Sequence, residues 1–227
     1  MLVQNWMSTG VMSIGADESI RKAIKLQKEY NVSLLPVMED GKLIGIISDR
    51  DIKKASFSNT IPLDMNEAIY LASKVTVRDV MTPHPLTVSH ELTMEEVADF
   101  LLKNRISGAP VVDNAGKIVG IITRSDALRV LISVTGGDKM GYHFGFRVED
   151  KPGSVAAIVK VMREHGCRVA SILGSYENAP DNFRNVYVRV YDVEPEEYSS
   201  LLEELKRTTK VRYVVDFILN KREIFSG

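Results

Sequence analysis

The sequence has little cysteine, few aromatic residues and almost no net charge. Its single cysteine, Cys167, excludes an intramolecular disulfide and a metal cage made only of cysteines, and it is typical of a reducing compartment. With 29 basic and 30 acidic residues the net charge is −1, so nothing points to a nucleic-acid or membrane partner. No apolar run approaches the roughly 18–20 residues of a membrane span, and residues 1–15 lack the character of a signal peptide. We therefore expect a cytoplasmic protein.

An internal repeat is the strongest pattern in the 227 residues. Three segments recur in the same order, at an offset of 74 positions that becomes 75 after one inserted residue. The aligned pairs are residues 6–9 with 80–83, 33–37 with 107–111, and 41–48 with 116–123. Chance does not produce this many ordered matches, so we expect two copies of one structural module.

Each copy has the pattern of a β-α-β-β-α unit. In the first copy we expect a strand at 12–14, a helix capped by Asp17 and ended by Asn31, strands at 34–38 and 43–47, and a helix opening at 48–51. In the second copy we expect a helix at 94–103 and strands at 109–112 and 118–122. One such unit leaves an apolar sheet face bare, so the two should cover each other as a pseudo-twofold pair with clefts between them.

The two stretches GIISDRD, residues 45–51, and GIITRSD, residues 120–126, resemble the Gly-x-apolar-[Ser/Thr]-x-x-Asp motif of CBS domains. The Met-[Ser/Thr] openings and the Ser-x-x-Pro-Val strands, with Ser33, Pro36, Ser107 and Pro110, match that family too. We predict a first repeat at 1–56, a linker helix at 57–74 and a second repeat at 75–135. In the linker, Pro62 would start a helix bearing Met65, Ile69 and Leu71, for which dimerisation and core packing are equally open.

The repeated motif predicts where a nucleotide would bind. Ser48 and Thr123 stand at helix starts, where free backbone N–H groups favour a phosphate. Asp51 and Asp126 follow one turn later, and an acceptor-only carboxylate suits a ribose diol. The resemblance implies the same roles and places adenine against the two short strands. The alternative is that each Ser/Thr and Asp pair is an ordinary helix cap. The other candidate contacts are Arg50 and Arg124, for phosphate, and Met12, Ser13, Ile14, Leu86, Thr87 and Val88, for adenine.

Catalytic chemistry finds no support in the sequence. It has no phosphate-binding Walker loop, no metal-ligand spacing and no nucleophile–base pair. We interpret His84 as an exposed loop residue and Cys167 as a buried structural thiol.

The C-terminal third is predicted to be a separate ferredoxin-like βαββαβ domain at 141–221. We expect strands at 142–148, 168–176, 186–191 and 211–217, helices at 154–165 and 195–207, and a loop at 177–185. The turn DKPGS, residues 150–154, resembles the Asp-x-Pro-Gly motif of ACT domains. That resemblance implies an effector site at Asp150, Pro152, Gly153 and Ser154, although Pro-Gly can equally make a plain turn whose Pro152 starts the helix. An Asn common early in the second strand of amino-acid-binding relatives is missing.

The whole arrangement, an α+β chain of two CBS repeats and one ACT domain, resembles the bacterial acetoin-utilisation accessory proteins. The resemblance implies a regulatory homodimer that senses AMP, ADP, ATP or S-adenosylmethionine and signals to a protein partner. A structural, dimerising subunit of an enzyme or transporter without bound nucleotide is the alternative, and an enzyme the least favoured one.

Overall fold

The computed structural model describes residues 1–57 and 75–225, which form two compact units, Met1–Leu128 and Arg129–Gly227. The predicted linker helix at 57–74, with Pro62, Met65, Ile69 and Leu71, lies beyond Phe57 outside the described residues. Each unit is built around its own sheets, and each is described separately below.

The first unit contains the two predicted repeats. Its first repeat consists of β1 (Ile14–Gly15), α1 (Ile20–Glu29), β2 (Leu34–Glu39), β3 (Lys42–Ser48) and α2 (Asp49–Phe57). A short helix α3 (Val77–Val80) and strand β4 (Thr82–Pro83) lead into the second repeat. That repeat consists of β5 (Val88–Ser89), α4 (Met94–Lys103), β6 (Gly108–Val112), β7 (Ile118–Thr123) and α5 (Arg124–Val134), and the boundary between the units lies within α5. The β-α-β-β-α order is confirmed in both copies.

The two repeats have the same strand register. β1 pairs in parallel with β2 through Ile14 and Val37, and β5 pairs in parallel with β6 through Val88 and Val111. All four of these side chains are buried. The β2–β3 hairpin turns through Asp40 (φ 48°) and Gly41 (φ 75°), as a two-residue turn with two left-handed residues requires. The sheets therefore follow from apolar strands joined by turns that only these residue types make readily.

One predicted cap is wrong. Helix α1 begins at Ile20 and its N-cap is Ser19, whose side chain accepts a bond from the Lys22 amide, not Asp17. Asp17 instead accepts two bonds from the guanidinium of Arg78, at 3.1 and 3.2 Å. The sequence rule for caps could not distinguish two acceptors two residues apart, one of which has a distant cationic partner.

The opening segments of the repeats are exchanged between the two copies. Ser8, in the opening segment of the first repeat, exchanges two backbone hydrogen bonds of 3.0 Å with Ile121 of β7, in the second repeat. Strand β4, in the opening segment of the second repeat, pairs with β3 of the first repeat. A Cβ on Gly45 of β3 would collide with the side chain of Met81, and one on Gly120 of β7 would collide with Met7. The motif glycines are thus needed so that each Met-[Ser/Thr] opening can pack on the strand of the other repeat.

The second unit consists of β8 (Tyr142–Glu149), α6 (Ser154–Glu164), β9 (Arg168–Ser175), β10 (Phe183–Tyr191), α7 (Tyr198–Thr208), β11 (Lys210–Asp216) and β12 (Lys221–Ile224). The predicted βαββαβ order is present, with β12 as an additional, unpredicted strand. The sheet order is β12-β11-β8-β10-β9 and every pair in it is antiparallel. Apolar residues from β8, β10, α6 and α7 make one core, in which Phe144, Ile158, Leu201 and Leu205 are fully buried.

The starts of one strand and one helix in this unit differ from the sequence expectation. Strand β10 begins at Phe183, inside the predicted loop 177–185, because the ladder with β8 extends from Phe183 opposite Glu149. Helix α7 begins at Tyr198, not Pro195, because Glu197 bonds back to the Glu194 carbonyl in a turn. Helix α6 begins at Ser154, as predicted, after Gly153 at φ 90°, so the alternative in which Pro152 starts the helix is wrong.

Candidate functional site

The repeated motif forms the same hydrogen-bonded structure at both strand-to-helix junctions. At the first, Asp51 Oδ2 accepts from the Ser48 amide at 2.9 Å and from the Ser48 hydroxyl at 2.6 Å. At the second, Asp126 Oδ2 accepts from the Thr123 amide at 2.8 Å and from the Thr123 hydroxyl at 2.7 Å. Both copies therefore form the helix cap that the alternative interpretation predicts. The cap does not exclude a ligand contact, because a carboxylate has about four acceptor positions.

The two aspartates differ in exposure. Asp126 is buried, with 6% of its surface exposed, whereas Asp51 is half-buried. Asp51 faces a cavity of about 1000 Å³, large enough for a nucleotide. The side chain of Asp51 is therefore accessible from the cavity while its contacts to Ser48 are in place.

Both repeats contribute to this cavity, which we call the Asp51 cleft. The first repeat supplies Ser33, Ser48, Asp49, Arg50, Asp51, Lys53 and Lys54 among its lining residues, and the second supplies Ser107, Gly108 and Arg124. The opening segment of the second repeat supplies Thr82, His84, Pro85 and Leu86. Leu86 is in the cleft because the exchanged β4 carries its segment onto β3. The structure thus brings together seven predicted residues, namely Ser33, Ser48, Arg50, Asp51, Leu86, Ser107 and Arg124.

Other predicted contacts lie elsewhere. The side chains of Ile14 and Val88 are core residues, 4% and 3% exposed, so only their backbones could face a ligand. Pro36 and Pro110 are buried within β2 and β6. Met12 packs half-buried against the first repeat's core.

A second cavity of about 800 Å³ contains two further predicted residues, Ser13 and Thr87. It is lined by the hairpin turns of both repeats, with Lys42 and Lys117 at equivalent places. His84 lines this cavity and also the Asp51 cleft, and it is exposed as predicted.

Sequence reasoning missed Lys53, Lys54 and Arg105, which line the Asp51 cleft. Lys53 and Lys54 lie on α2, one turn or less beyond the motif, and helical periodicity could have placed them there. No local sequence pattern connects Arg105 with the motif of the first repeat, because Arg105 belongs to the second repeat.

The turn before α6 holds the predicted ACT effector residues. Gly153 is left-handed and exposed, and Asp150 and Pro152 are exposed as well, while Ser154 is half-buried. The Asp150 carboxylate forms an ion pair of 3.5 Å with Arg184 and accepts from the Tyr176 hydroxyl at 3.4 Å.

Three chemical features bear on other functions. Among residues 1–57 and 75–225 no group of three or more His, Cys, Asp or Glu side chains is placed to hold a metal ion. Over the same described part of the chain, every helix is too short or too polar to cross a bilayer. Cys167 is buried as predicted, and desolvation raises the pKa of its thiol to about 11.

The fold and the duplicated Ser/Thr-x-x-Asp junctions define a tandem module of the kind found in CBS domains. The family model of the CBS domain matches residues 3–58 and 77–133. A CBS domain-containing protein of Dictyostelium discoideum is 32% identical over 135 residues, covering 59% of this chain and 93% of the relative. The chain belongs to the CBS domain family.

Two further matches show how the module is used in other proteins. The solved CBS domain pair of protein MJ0100, in complex with 5′-methylthioadenosine and S-adenosyl-L-methionine, is 32% identical with a TM-score of 0.51. That match covers 61% of this chain and 98% of the solved one. An inosine-5′-monophosphate dehydrogenase of Korarchaeum cryptofilum is 28% identical, covering 54% of this chain but only 23% of the enzyme. The similarity to that enzyme is therefore confined to a minor part of it.

Proposed function

We propose that this protein is a regulatory sensor whose CBS pair binds an adenosine nucleotide or derivative. The observation that carries the proposal is the Asp51 cleft, a cavity of about 1000 Å³ where the motif of one repeat faces Ser107 and Arg124 of the other. Support also comes from the similar CBS pair of MJ0100, whose two ligands share an adenosine group.

The cleft offers a contact for each part of such a ligand. Asp51 accepts the ribose hydroxyls with the lone pairs that its Ser48 contacts leave available. The start of α2 and Arg50 face the 5′ substituent, where the helix dipole favours negative charge. Adenine packs on Leu86, with its edge read by backbone groups of the adjoining segment, as the residues Leu86, Thr87 and Val88 were predicted to do.

The second junction is proposed as a second site on the geometry of its repeated motif. Thr123 and Asp126 have the geometry of Ser48 and Asp51 to within about 0.1 Å in both carboxylate contacts. Met12, Ser13 and Ile14 are the equivalents of the adenine-reading segment there. Arg124 stands at the start of α5 as Asp49 does at the start of α2.

The second unit is proposed as an ACT domain that dimerises the protein or binds a second effector. Its βαββαβ order and the left-handed Gly153 before α6 support this. An amino-acid ligand would place its carboxylate at the start of α6 and its ammonium near Asp150. A role in acetoin utilisation, a homodimer, a protein partner, a cytoplasmic location and the lack of enzymatic activity belong to the same proposal.

A structural subunit with empty clefts is the competing function, because the helix caps alone explain both motifs. Isothermal titration of the full chain with AMP, ADP, ATP, adenosine and S-adenosylmethionine separates the two. We expect at least one adenosine ligand to bind, and Asp51→Ala and Asp126→Ala each to weaken one site by roughly 1.5–3 kcal/mol.

The control is Asp99→Ala, which removes an exposed carboxylate from α4 outside the cleft. It should leave binding unchanged. Saturation with ligand at a hundredfold its dissociation constant should also add about 2.7 kcal/mol to the free energy of unfolding. Absence of binding by every adenosine ligand would overturn the sensor and leave the structural subunit.

A further inference from the structure

The two motif junctions have matching backbones, which allows their surroundings to be compared position by position. The amide of Asp49 donates to the Ser33 carbonyl at 3.3 Å, and the amide of Arg124 donates to the Ser107 carbonyl at 2.9 Å. Each of the four residues thus occupies the place of its counterpart. Differences in charge between the two sites therefore come from side chains on a common framework.

The Asp51 cleft is strongly basic. Five basic residues line it, namely Arg50, Lys53, Lys54, Arg105 and Arg124, against the two acidic residues Asp49 and Asp51, a net formal charge of +3. Arg124 donates to the Leu101 carbonyl. Within the described residues no side-chain ion pair neutralises the other four basic groups. Clustered like charges in a concave site raise the local potential and attract an anion.

The equivalent positions around Asp126 carry no net charge. Arg50, Lys53 and Arg105 are replaced there by Ser125, Leu128 and Asn31, and Lys54 alone has a basic counterpart, Arg129. Asp49 and Arg124 are counterparts, because each is the first helical residue of its repeat. Each site therefore contains both residues, one from its own repeat and one from the other repeat. The result is two basic and two acidic side chains, a net formal charge of zero.

The residue at position 105 gives an independent indication. Arg105 adopts φ 55°, the left-handed conformation that its counterpart Asn31 adopts at φ 51°. Asparagine adopts this left-handed region more readily than arginine does. The second repeat therefore retains an unfavourable residue at a position where its side chain lines the Asp51 cleft.

We infer that the two sites are unequal: the Asp51 cleft binds an adenosine ligand carrying a phosphate chain, whereas the Asp126 site binds adenosine derivatives without phosphates. This inference rests on the proposed function and specifies its ligands. The basic groups lie on both repeats, so a phosphate chain in the cleft contacts both, and a neutral nucleoside gains nothing from them. Phosphate-bearing and phosphate-free ligands are thereby sorted between the halves of one module.

Titration calorimetry with adenosine, 5′-methylthioadenosine, ADP and ATP at low and high salt tests this inference. We expect ATP to bind the wild-type chain roughly tenfold or more tightly than adenosine, with a strong loss at high salt. Asp51→Ala should remove that preference, and Asp126→Ala should retain it. The variant R105N/K53L, which introduces the counterparts from the other repeat, lowers the net formal charge of the cleft from +3 to +1. It should weaken ATP binding severalfold more than adenosine binding and so reduce the preference for ATP.

Two comparisons guard the result. R21N/K25L makes the same substitutions on the exposed face of α1 and should leave the ATP preference intact. In the Asp51→Ala background, N31R/L128K should create an ATP preference at the Asp126 site, a gain that misfolding cannot produce. Equal binding of ATP and adenosine, or loss of the preference in R21N/K25L, would overturn the inequality alone. Absence of all adenosine binding would overturn the proposed function with it.

Discussion

The contact between Gly45 and Met81 gives a quantitative test of the exchanged openings. A Cβ at position 45 would overlap the Met81 sulfur and stand 3.0 Å from its Cγ, and all three of its nearest neighbours belong to that one side chain. Overpacking of this kind costs about 1–3 kcal/mol. Because methionine can adopt other rotamers, we expect Gly45→Ala to destabilise the first unit by about 1–2 kcal/mol.

Removing the Met81 side chain should abolish the destabilisation caused by Gly45→Ala. In a Met81→Ala background the new Cβ at position 45 no longer overlaps the Met81 side chain. Glycine in the middle of a strand is destabilising relative to alanine by roughly 0.5–1 kcal/mol. The second substitution should therefore be neutral or slightly stabilising there. The coupling free energy of the double-mutant cycle should be about 2 kcal/mol.

Urea unfolding followed by the fluorescence of Trp6 is the suitable assay, because the chain has one tryptophan and it lies in the first unit. Gly120→Ala provides the matched comparison, since its Cβ would meet Met7 and also the Ser8 carbonyl at 3.1 Å. It should cost more than Gly45→Ala, because a backbone atom cannot rotate away. An equal cost of Gly45→Ala with and without Met81 would refute the exchanged packing.

Three further predictions concern single sites. Glu204 and Glu197 accept hydrogen bonds from the imidazole of His165 and raise its pKa above the ordinary 6.5. The resulting stabilisation is complete below about pH 6.5 and is lost as pH rises through the folded pKa. His165→Gln should therefore lower the urea midpoint of the second unit more at pH 6 than at pH 9. Burial raises the Cys167 pKa from 9.0 to about 11, so native protein at pH 8 should react with a thiol reagent about a hundredfold more slowly than unfolded protein. Thr93→Ala, which breaks a cap bond of 3.2 Å to the Glu96 amide, should cost about 1 kcal/mol by Trp6 fluorescence.

Each of these has a clear contrary result. A His165→Gln effect independent of pH would show that the two carboxylates do not stabilise the charged imidazole. Fast labelling of Cys167 in the native protein would contradict its burial. A neutral Thr93→Ala would show that the helix start is held by the Glu96 side chain alone.

The sequence was sufficient to predict the modular architecture. Repetition showed that two copies exist, and alternating and helical periodicities placed α4 at residues 94–103, the bounds that the structure has. These signals are local, since hydrophobic period and turn residues act within about ten positions. The βαββαβ order of the second unit was predictable for the same reason, although β12 was missed because KREI has no apolar alternation.

Only the tertiary structure decided on which repeat each opening segment packs. Similarity between repeats is symmetric, so it could not show that residues 80–86 pack on the first repeat and that Met7 packs on the second. For the same reason the motif placed Ser48 and Asp51 at one helix start but could not add Arg105, which approaches from 54 positions away along the chain. A cleft between two copies is a property of their packing, and long-range packing leaves no periodic trace in the sequence.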